Sequence, residues 1–197
     1  HQDEAEVPTL EAVRKAMGAE LGIKLTPVPF LIKAAVKALK AFPRFNASLT
    51  PGGDGLVMKH YFHIGVAVET PNGLVVPVIR DCDTKSISEI AAELADKAER
   101  ARGKGLPMSE MSGGCFSISS LGNLGGTGFT PIINAPELAI LGVTRSAERL
   151  KLVDGQVSSV PVVPLSLSYD HRVINGADAA RFTRFIADAL ADPAALA

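Results

Sequence analysis

Pro164-Leu165-Ser166-Leu167-Ser168-Tyr169-Asp170-His171-Arg172-Val173-Ile174-Asn175-Gly176-Ala177-Asp178 changes its hydrophobic period halfway along. Leu165, Leu167 and Tyr169 alternate with Ser166, Ser168 and Asp170, which predicts a strand with one apolar face. Beyond Gly176, Phe182, Phe185, Ile186, Ala189 and Leu190 recur at three- and four-residue spacing, the stripe of an amphipathic helix. Asn175 stands where an N-cap belongs, with Asp178 three positions on, a variant of the capping box. His171 is therefore expected on a short turn between a strand and a helix. The pattern alone leaves its role open between satisfying backbone groups at the turn and chemistry.

The rest of the chain is read outward from that junction. Leu10, Val13, Met17 and Leu21 predict a short amphipathic helix closed by Gly22. Thr26-Pro27 predicts a second helix, with Thr26 as N-cap and Pro27 at the first position, running to about Phe42 before Pro43. Val28, Leu31, Ile32, Ala35, Val36 and Leu39 make it apolar nearly all round. Lys33, Lys37 and Lys40 form its polar stripe, read as a solvated face, with contact to ligand phosphates as the alternative. Strands are expected at Phe45–Leu49 and Leu56–Lys59 around the turn Pro51-Gly52-Gly53-Asp54-Gly55. A hairpin is expected from Phe62–Glu69 and Leu74–Ile79 around Thr70-Pro71-Asn72-Gly73, with Pro77 marking an edge or bulge.

Ser86-Ile87-Ser88-Glu89 is a capping box. The helix after it shows Ile90, Leu94, Ala98 and Ala101 on one face, opposite Glu93, Lys97 and Arg100, and Gly103 ends it. Lys104 to Gly114 reads as a polar connection. Cys115-Phe116-Ser117-Ile118-Ser119-Ser120-Leu121-Gly122 alternates as a strand stopping at Gly122, and Ala139 to Val143 reads as a short buried strand. Leu150–Val153 and Val157–Val160 flank Asp154-Gly155-Gln156 as a further hairpin that leads to the strand before His171. Mixed helices, hairpins and strands, without repeat or linker, argue for α/β (α+β) architecture over residues 1–197 as one domain: a mixed sheet with helices on one face.

The bulk properties narrow the classes. The chain has 197 residues, 47% hydrophobic and 21% charged, with a net charge of −1, so neither nucleic acid nor an anionic membrane is implied as a partner. The acidic start His1-Gln2-Asp3-Glu4-Ala5-Glu6 is neither a signal nor a basic transit peptide. Cys82 and Cys115 lack Cys-x-x-Cys spacing and read as free thiols of a reducing compartment, cytoplasmic in a bacterial-type cell. His60 and His63 fall on opposite faces of a strand pattern, and no cluster has metal-ligand spacing. No Walker-type phosphate loop or dinucleotide fingerprint occurs.

Asp170-His171-Arg172-Val173-Ile174-Asn175-Gly176-Ala177 resembles the active-site signature of the 2-oxo acid dehydrogenase acyltransferases, which are similar to chloramphenicol acetyltransferase in the pattern His-x-x-x-Asp-Gly. The likeness runs from about Val7 to the C-terminus and includes the Pro71-Asn72-Gly73 hairpin and Gly125-Gly126-Thr127-Gly128-Phe129-Thr130-Pro131 through Glu137. The resemblance implies a two-layer, chloramphenicol acetyltransferase-like fold and acyl transfer between dihydrolipoamide and coenzyme A, both substrates, with no metal. It implies His171 as general base and Ser119 as hydroxyl donor to the tetrahedral intermediate. By itself, Ser119 would read as a turn former. Most of the family has Asp where this chain has Asn175, which can orient or cap but cannot take a proton.

Ser119-Ser120-Leu121-Gly122 is similar to acetyl-transferring members, those of the pyruvate dehydrogenase complex. Family members form homotrimers, often built into larger hollow, cubic cores, with His and Ser supplied by neighbouring subunits. Decarboxylase and lipoamide dehydrogenase partners are expected through segments outside this stretch. The chain looks like the catalytic core of a longer protein, without lipoyl or peripheral-subunit-binding domains, and its Ala-rich end could dock another trimer. The competing readings are a free-standing chloramphenicol-type O-acetyltransferase and a scaffold with dispensable catalysis.

Overall fold

The computed structural model describes residues 1–122, 124–153 and 155–196. In chain order the elements are β1 (Gln2–Glu6), α1 (Leu10–Leu21), α2 (Val28–Ala41), β2 (Ala47–Leu49), β3 (Leu56–Met58), β4 (Ile64–Val66), β5 (Val68–Thr70), β6 (Gly73–Val75) and β7 (Val78–Ile79). They continue as α3 (Ile87–Arg102), β8 (Phe116–Ser120), β9 (Ala139–Val143), β10 (Ala147–Val153), β11 (Gln156–Tyr169) and α4 (Gly176–Ala191). The main sheet runs β1-β11-β9-β8-β4-β7, with β10 also on β11. The β4–β8 and β8–β9 pairs are parallel and the others antiparallel, so the sheet is mixed. Two small ribbons, β2–β3 and β5–β6, stand beside it.

Helices cover one face. Phe116 and Ile118 of β8 point into that layer, fully buried, and the Phe116 ring lies 5.7 Å from Phe182 of α4. Phe182 stacks on Phe45 at 3.9 Å, which ties α4 to the segment that follows α2. The apolar stripe of α4 is Ala179, Phe182, Ile186, Ala187 and Leu190, each burying its side chain at roughly 25 cal/mol per Å² of apolar area. Phe185, expected in the stripe, stays 37% exposed.

The local signals hold where they are self-contained. Gly22 takes the left-handed conformation at φ 65° and closes α1. Ser86 and Glu89 form both halves of the capping box. Pro77 falls between β6 and the edge strand β7, and the expected long hairpin breaks into β4–β7 and β5–β6 at that point. Gln156–Tyr169 forms one continuous strand rather than two. Asp154, at the expected Asp-Gly turn, lies outside the described residues.

Several expectations are corrected by burial. The cap of α2 is Pro27, whose carbonyl accepts from Leu31 N at 3.2 Å, and no side chain caps it, Thr26 included. The lysine stripe is a solvated face at Lys37 and Lys40, which stay exposed, Lys37 donating to Ala195 O and Lys40 lying over the Phe62 ring, but not at Lys33, which is half-buried with Nζ donating to the carbonyls of Lys85 (2.8 Å) and Cys82 (3.3 Å). Lys97 is buried at 7% exposure, donating to Val78 O at 2.8 Å and paired with Glu93 at 3.1 Å. Phe45 belongs to a 3-10 turn, so the expected Phe45–Leu49 strand shortens to Ala47–Leu49. His60 and His63 lie outside any strand, and His63 Nδ1 accepts from Asp81 N at 3.0 Å.

β11 does not keep one face wet. Val162 to Leu167 are all buried, Ser166 included, because the 127–131 segment lies across the face opposite the helices. The acidic N-terminus, read above only as polar, is β1, registered from Gln2↔Ser166 to Glu6↔Val162. Basic side chains answer its acids: Arg184 pairs with Asp3, Arg149 with Glu4 and Lys151 with Glu6.

Candidate active site

The His171 turn is built by its backbone. Asp170 N donates to Leu138 O at 2.8 Å, and Asp170 O accepts from Val173 N (3.1 Å) and Ile174 N (3.0 Å). Ile174, 1% exposed, plugs the turn into the core. The Asp170 carboxylate accepts from the backbone N of Arg172 and from its guanidinium, which holds the acid below its ordinary range. His171 itself is exposed, its ring 5.8 Å from Tyr169. Among the described residues no hydrogen bond reaches the imidazole.

Asn175 is the N-cap of α4. Its Oδ1 accepts from Asp178 N at 2.9 Å, and its Nδ2 donates to Asp178 Oδ2 at 2.9 Å. Both ends of the amide are therefore turned to the helix. The second bond goes to a side chain rather than returning to the cap's own backbone, so half of the capping box is replaced.

Ser119 lies on β8, half-buried, level with Gly142 of β9. Alternation puts Ser117 and Ser119 on the face opposite Phe116 and Ile118. Gly142 cannot carry a side chain there, because an added Cβ would stand 2.7 Å from the Phe129 ring. The Gly-rich segment thus presses its aromatic ring onto the sheet beside Ser119.

The structure does not bring Ser119 and His171 together within one subunit. Ser119 is level with Gly142, and Gly142 with Ser166. Tyr169, the last residue of β11, is three positions beyond that level and two strands across from Ser119, about 14 Å away at ~3.3 Å per residue and ~4.8 Å per strand, and His171 follows on the turn beyond it. His171 and Asn175 share one turn; Ser119 belongs to another part of the molecule.

A cavity of about 530 Å³ opens at the carboxyl ends of the parallel strands β8 and β9, against the starts of α1 and α2. Ser120, Thr26, Thr144, Arg145 and Arg102 give it polar walls, and Val28 and Leu31 apolar ones. Thr144 Oγ1 is buried there without a partner. Sequence reasoning did not single out Thr144 or Arg145. Their signal was the polar Thr144-Arg145-Ser146 directly after an apolar strand, the end at which ligand sites of parallel strands form. Among the described residues no group of His, Cys, Asp or Glu is arranged to hold a metal ion, and no helix is long and apolar enough to cross a membrane. Cys82 and Cys115 are buried and unpaired, with burial pushing their thiols up to about 12 and about 11.

Comparison with known proteins adds to this geometry. The family model described as 2-oxoacid dehydrogenases acyltransferase (catalytic domain) matches residues 1–197. The chain is 54% identical over 194 residues to the dihydrolipoyllysine-residue acetyltransferase component of the pyruvate dehydrogenase complex of Pseudomonas aeruginosa, covering 96% of this chain and 35% of that protein. It thus spans about a third of that relative's length. A solved structure of Azotobacter vinelandii dihydrolipoamide acetyltransferase, studied for the role of a serine, a histidine and an asparagine in its catalytic mechanism, superposes with a TM-score of 0.95 at 52% identity, over 100% of this chain and 82% of that one. The same values describe the match to the cubic core of the pyruvate dehydrogenase multienzyme complex. Chloramphenicol acetyltransferase, 17% identical with a TM-score of 0.64 over 96% of this chain and 86% of that one, shares the fold.

Proposed function

The chain belongs to the 2-oxoacid dehydrogenase acyltransferase family, matching its catalytic domain, and from that premise we propose that it transfers an acetyl group between dihydrolipoamide and coenzyme A. The observation that carries the reading is an exposed imidazole on a braced turn and a half-buried hydroxyl two strands away, which the register of the sheet keeps apart within one copy. The serine, histidine and asparagine studied in the Azotobacter enzyme are spaced along that chain as Ser119, His171 and Asn175 are spaced here, which supports the assignment.

Both substrates are thiols, with a free pKa of about 8.5, so a neutral imidazole of unperturbed pKa about 6.5 suits removal of the proton. His171 takes the proton of the incoming thiol, and the sulfur attacks the thioester carbonyl carbon. The resulting oxyanion accepts a hydrogen bond from Ser119 of a neighbouring copy. The tetrahedral intermediate collapses, the carbon–sulfur bond to the departing thiol breaks, and His171 returns its proton to that sulfur. The proton count closes within His171 and the two thiols. Asn175 acts through the turn, as a cap that positions His171.

Coenzyme A bears phosphates and a long arm. The 530 Å³ cavity, with Arg145 and Arg102 at its wall and Ser120 next to Ser119, suits that chemistry, and we assign it to coenzyme A. Dihydrolipoamide arrives on a separate lipoyl-bearing segment. The assembly is a homotrimer built further into a cubic core, a reading that the match to the cubic core supports. Decarboxylase and lipoamide dehydrogenase attach through other segments of the full protein, in the reducing cytoplasm that thiol substrates require.

The test is acetyl transfer from acetyl-coenzyme A to dihydrolipoamide. His171→Ala is expected to lose about 10²–10⁴-fold in kcat and Ser119→Ala about 10²–10³-fold. Co-refolding the two inactive variants in equal amounts recovers roughly a quarter of the sites if neighbouring copies share each site. No recovery rejects the shared site, an active His171→Ala rejects the base, and transfer to chloramphenicol instead of dihydrolipoamide replaces the substrate.

A further inference from the structure

His171 is exposed, and among the described residues no hydrogen bond fixes its imidazole. A base that takes a proton and gives it back works best with its ring held in one orientation. An aromatic ring stands against it. Tyr169, the last residue of β11, is half-buried, with its ring centroid 5.8 Å from that of His171 and the two planes tilted by 38°.

Tyr169 is itself held from several directions. Its backbone pairs with Ala139 of β9. Its side chain follows Leu165 and Leu167 on one strand face and packs, like Val173, against the buried core. Its hydroxyl reaches the start of α4, where a Cβ built on Gly176 would stand 3.8 Å from Tyr169 Oη. The ring therefore bridges the His171 turn and the first residue of α4, next to the Asn175 cap. Among the described residues no hydrogen bond reaches that hydroxyl, so the ring rather than the oxygen makes the contact.

A neutral imidazole gains only packing from this neighbour. Once His171 carries the thiol's proton, its charge lies within the ~6 Å at which an aromatic ring attracts a cation. The attraction lasts as long as the charge does, so it favours the tetrahedral intermediate and its flanking transition states over the resting enzyme. An interaction of that kind raises kcat and leaves binding alone. The other neighbours do not supply it. The Asp170 carboxylate is spent on the backbone N and guanidinium of Arg172, and the Asn175 amide is uncharged and turned to α4.

Resting on the acyl-transfer reading, we propose that Tyr169 is a positioning residue: its ring sets the orientation of the His171 imidazole and stabilises the imidazolium formed as the thiol proton is taken up. The role needs the ring and not the hydroxyl. Tyr169 exchanges no proton, which still passes from the incoming thiol to His171 and on to the departing thiol.

The experiment measures kcat and KM for acetyl transfer in the full assembly. It compares the parent, Tyr169→Phe, Tyr169→Leu and proteins carrying mono-, di- and trifluorinated phenylalanine at position 169, with His171→Ala as control. Fluorine draws electron density from the ring face and nearly preserves its shape. Tyr169→Phe is expected to stay within about twofold of the parent, because it keeps the ring. Tyr169→Leu fills the space without a π face and lowers kcat about fivefold, with KM for both substrates unchanged. Along the fluorinated series kcat falls stepwise, by about two- to fivefold in all. A flat fluorinated series overturns the proposal, and so does a Tyr169→Phe protein as slow as Tyr169→Leu. If Tyr169→Leu fails to fold, the fluorinated series decides, since its members keep the packing. Full activity in His171→Ala sinks the acyl-transfer mechanism instead, whereas a flat series beside an inactive His171→Ala strikes the role of Tyr169 alone.

Discussion

The His171 turn and the Ser119 strand are built on different principles. Around His171 most hydrogen bonds are local: Asp170 to Arg172, Val173 and Ile174, and Asn175 to Asp178. Around Ser119 every constraint comes from far along the chain: Gly142 across a parallel ladder, Phe129 pressed onto Gly142, Glu137 beneath Ser117. An imidazole that must take up and return a proton tolerates a solvated, exposed perch braced by its neighbours. A hydroxyl that must meet a developing charge gains from a fixed position in a drier place. Neither half is complete alone, which is why the proposed function places the chemistry between copies.

The contrast can be attacked from the Ser119 side first. Gly142→Ala forces the Phe129 ring aside, and overpacking of this kind costs about 1–3 kcal/mol. Chemical denaturation should show that loss, and acetyl transfer should fall with it; an unchanged midpoint would mean that the 127–131 segment yields freely. A close second is the pH dependence of stability. The Glu137 acid is raised to about 7 in the folded protein from its ordinary 4.5, so the folded state binds the proton more tightly than the unfolded one. Stability is then highest below the unfolded value and falls as pH rises through the folded one. The loss is on the order of 2–3 kcal/mol between about pH 5 and about pH 8. Thermal unfolding of Glu137→Gln should lack most of that slope.

On the His171 side the effects should be smaller and local. Asn175→Ala removes the cap of α4 and should cost about 1 kcal/mol, with kcat lowered more than KM raised. An Asn175→Ala protein of parental stability would move the asparagine from cap to another role. Arg172→Ala breaks an exposed pair with Asp170, which solvent screens, and should lower stability only slightly at neutral pH. Since Arg172 holds the Asp170 acid below its ordinary range, the pair stabilises above the unfolded pKa and its contribution disappears as the solution is acidified. The difference between parent and Arg172→Ala in urea should therefore shrink at low pH.

The same division separates what could be read from the sequence and what could not. The junction at His171, the Asn175 cap, the Ser86–Glu89 capping box and the Gly22 stop were legible because each signal lies within about four residues. β1 was not, because Gln2-Asp3-Glu4-Ala5-Glu6 has a single buried apolar residue and becomes a strand only by pairing with β11 and meeting Arg149, Lys151 and Arg184. Lys33 and Lys97 looked like solvent-facing residues of amphipathic helices. Carbonyls of distant segments bury them instead. Ser166 was expected to face water, and the arrival of the 127–131 segment covered it.

For the site, residue identities and local posture were determined by sequence: a histidine after a strand, a capping asparagine, a serine on an alternating strand. Only the tertiary structure decided that Ser119 and His171 stand apart in one copy, that Thr144 and Arg145 open onto a cavity, and that Glu137 lies buried beneath Ser117. The physical reason is range. Capping and periodicity act over a few residues and are written in one stretch of chain. Register, burial and the ionisation of a carboxyl depend on which distant segments arrive beside it, and that is settled only when the sheet closes.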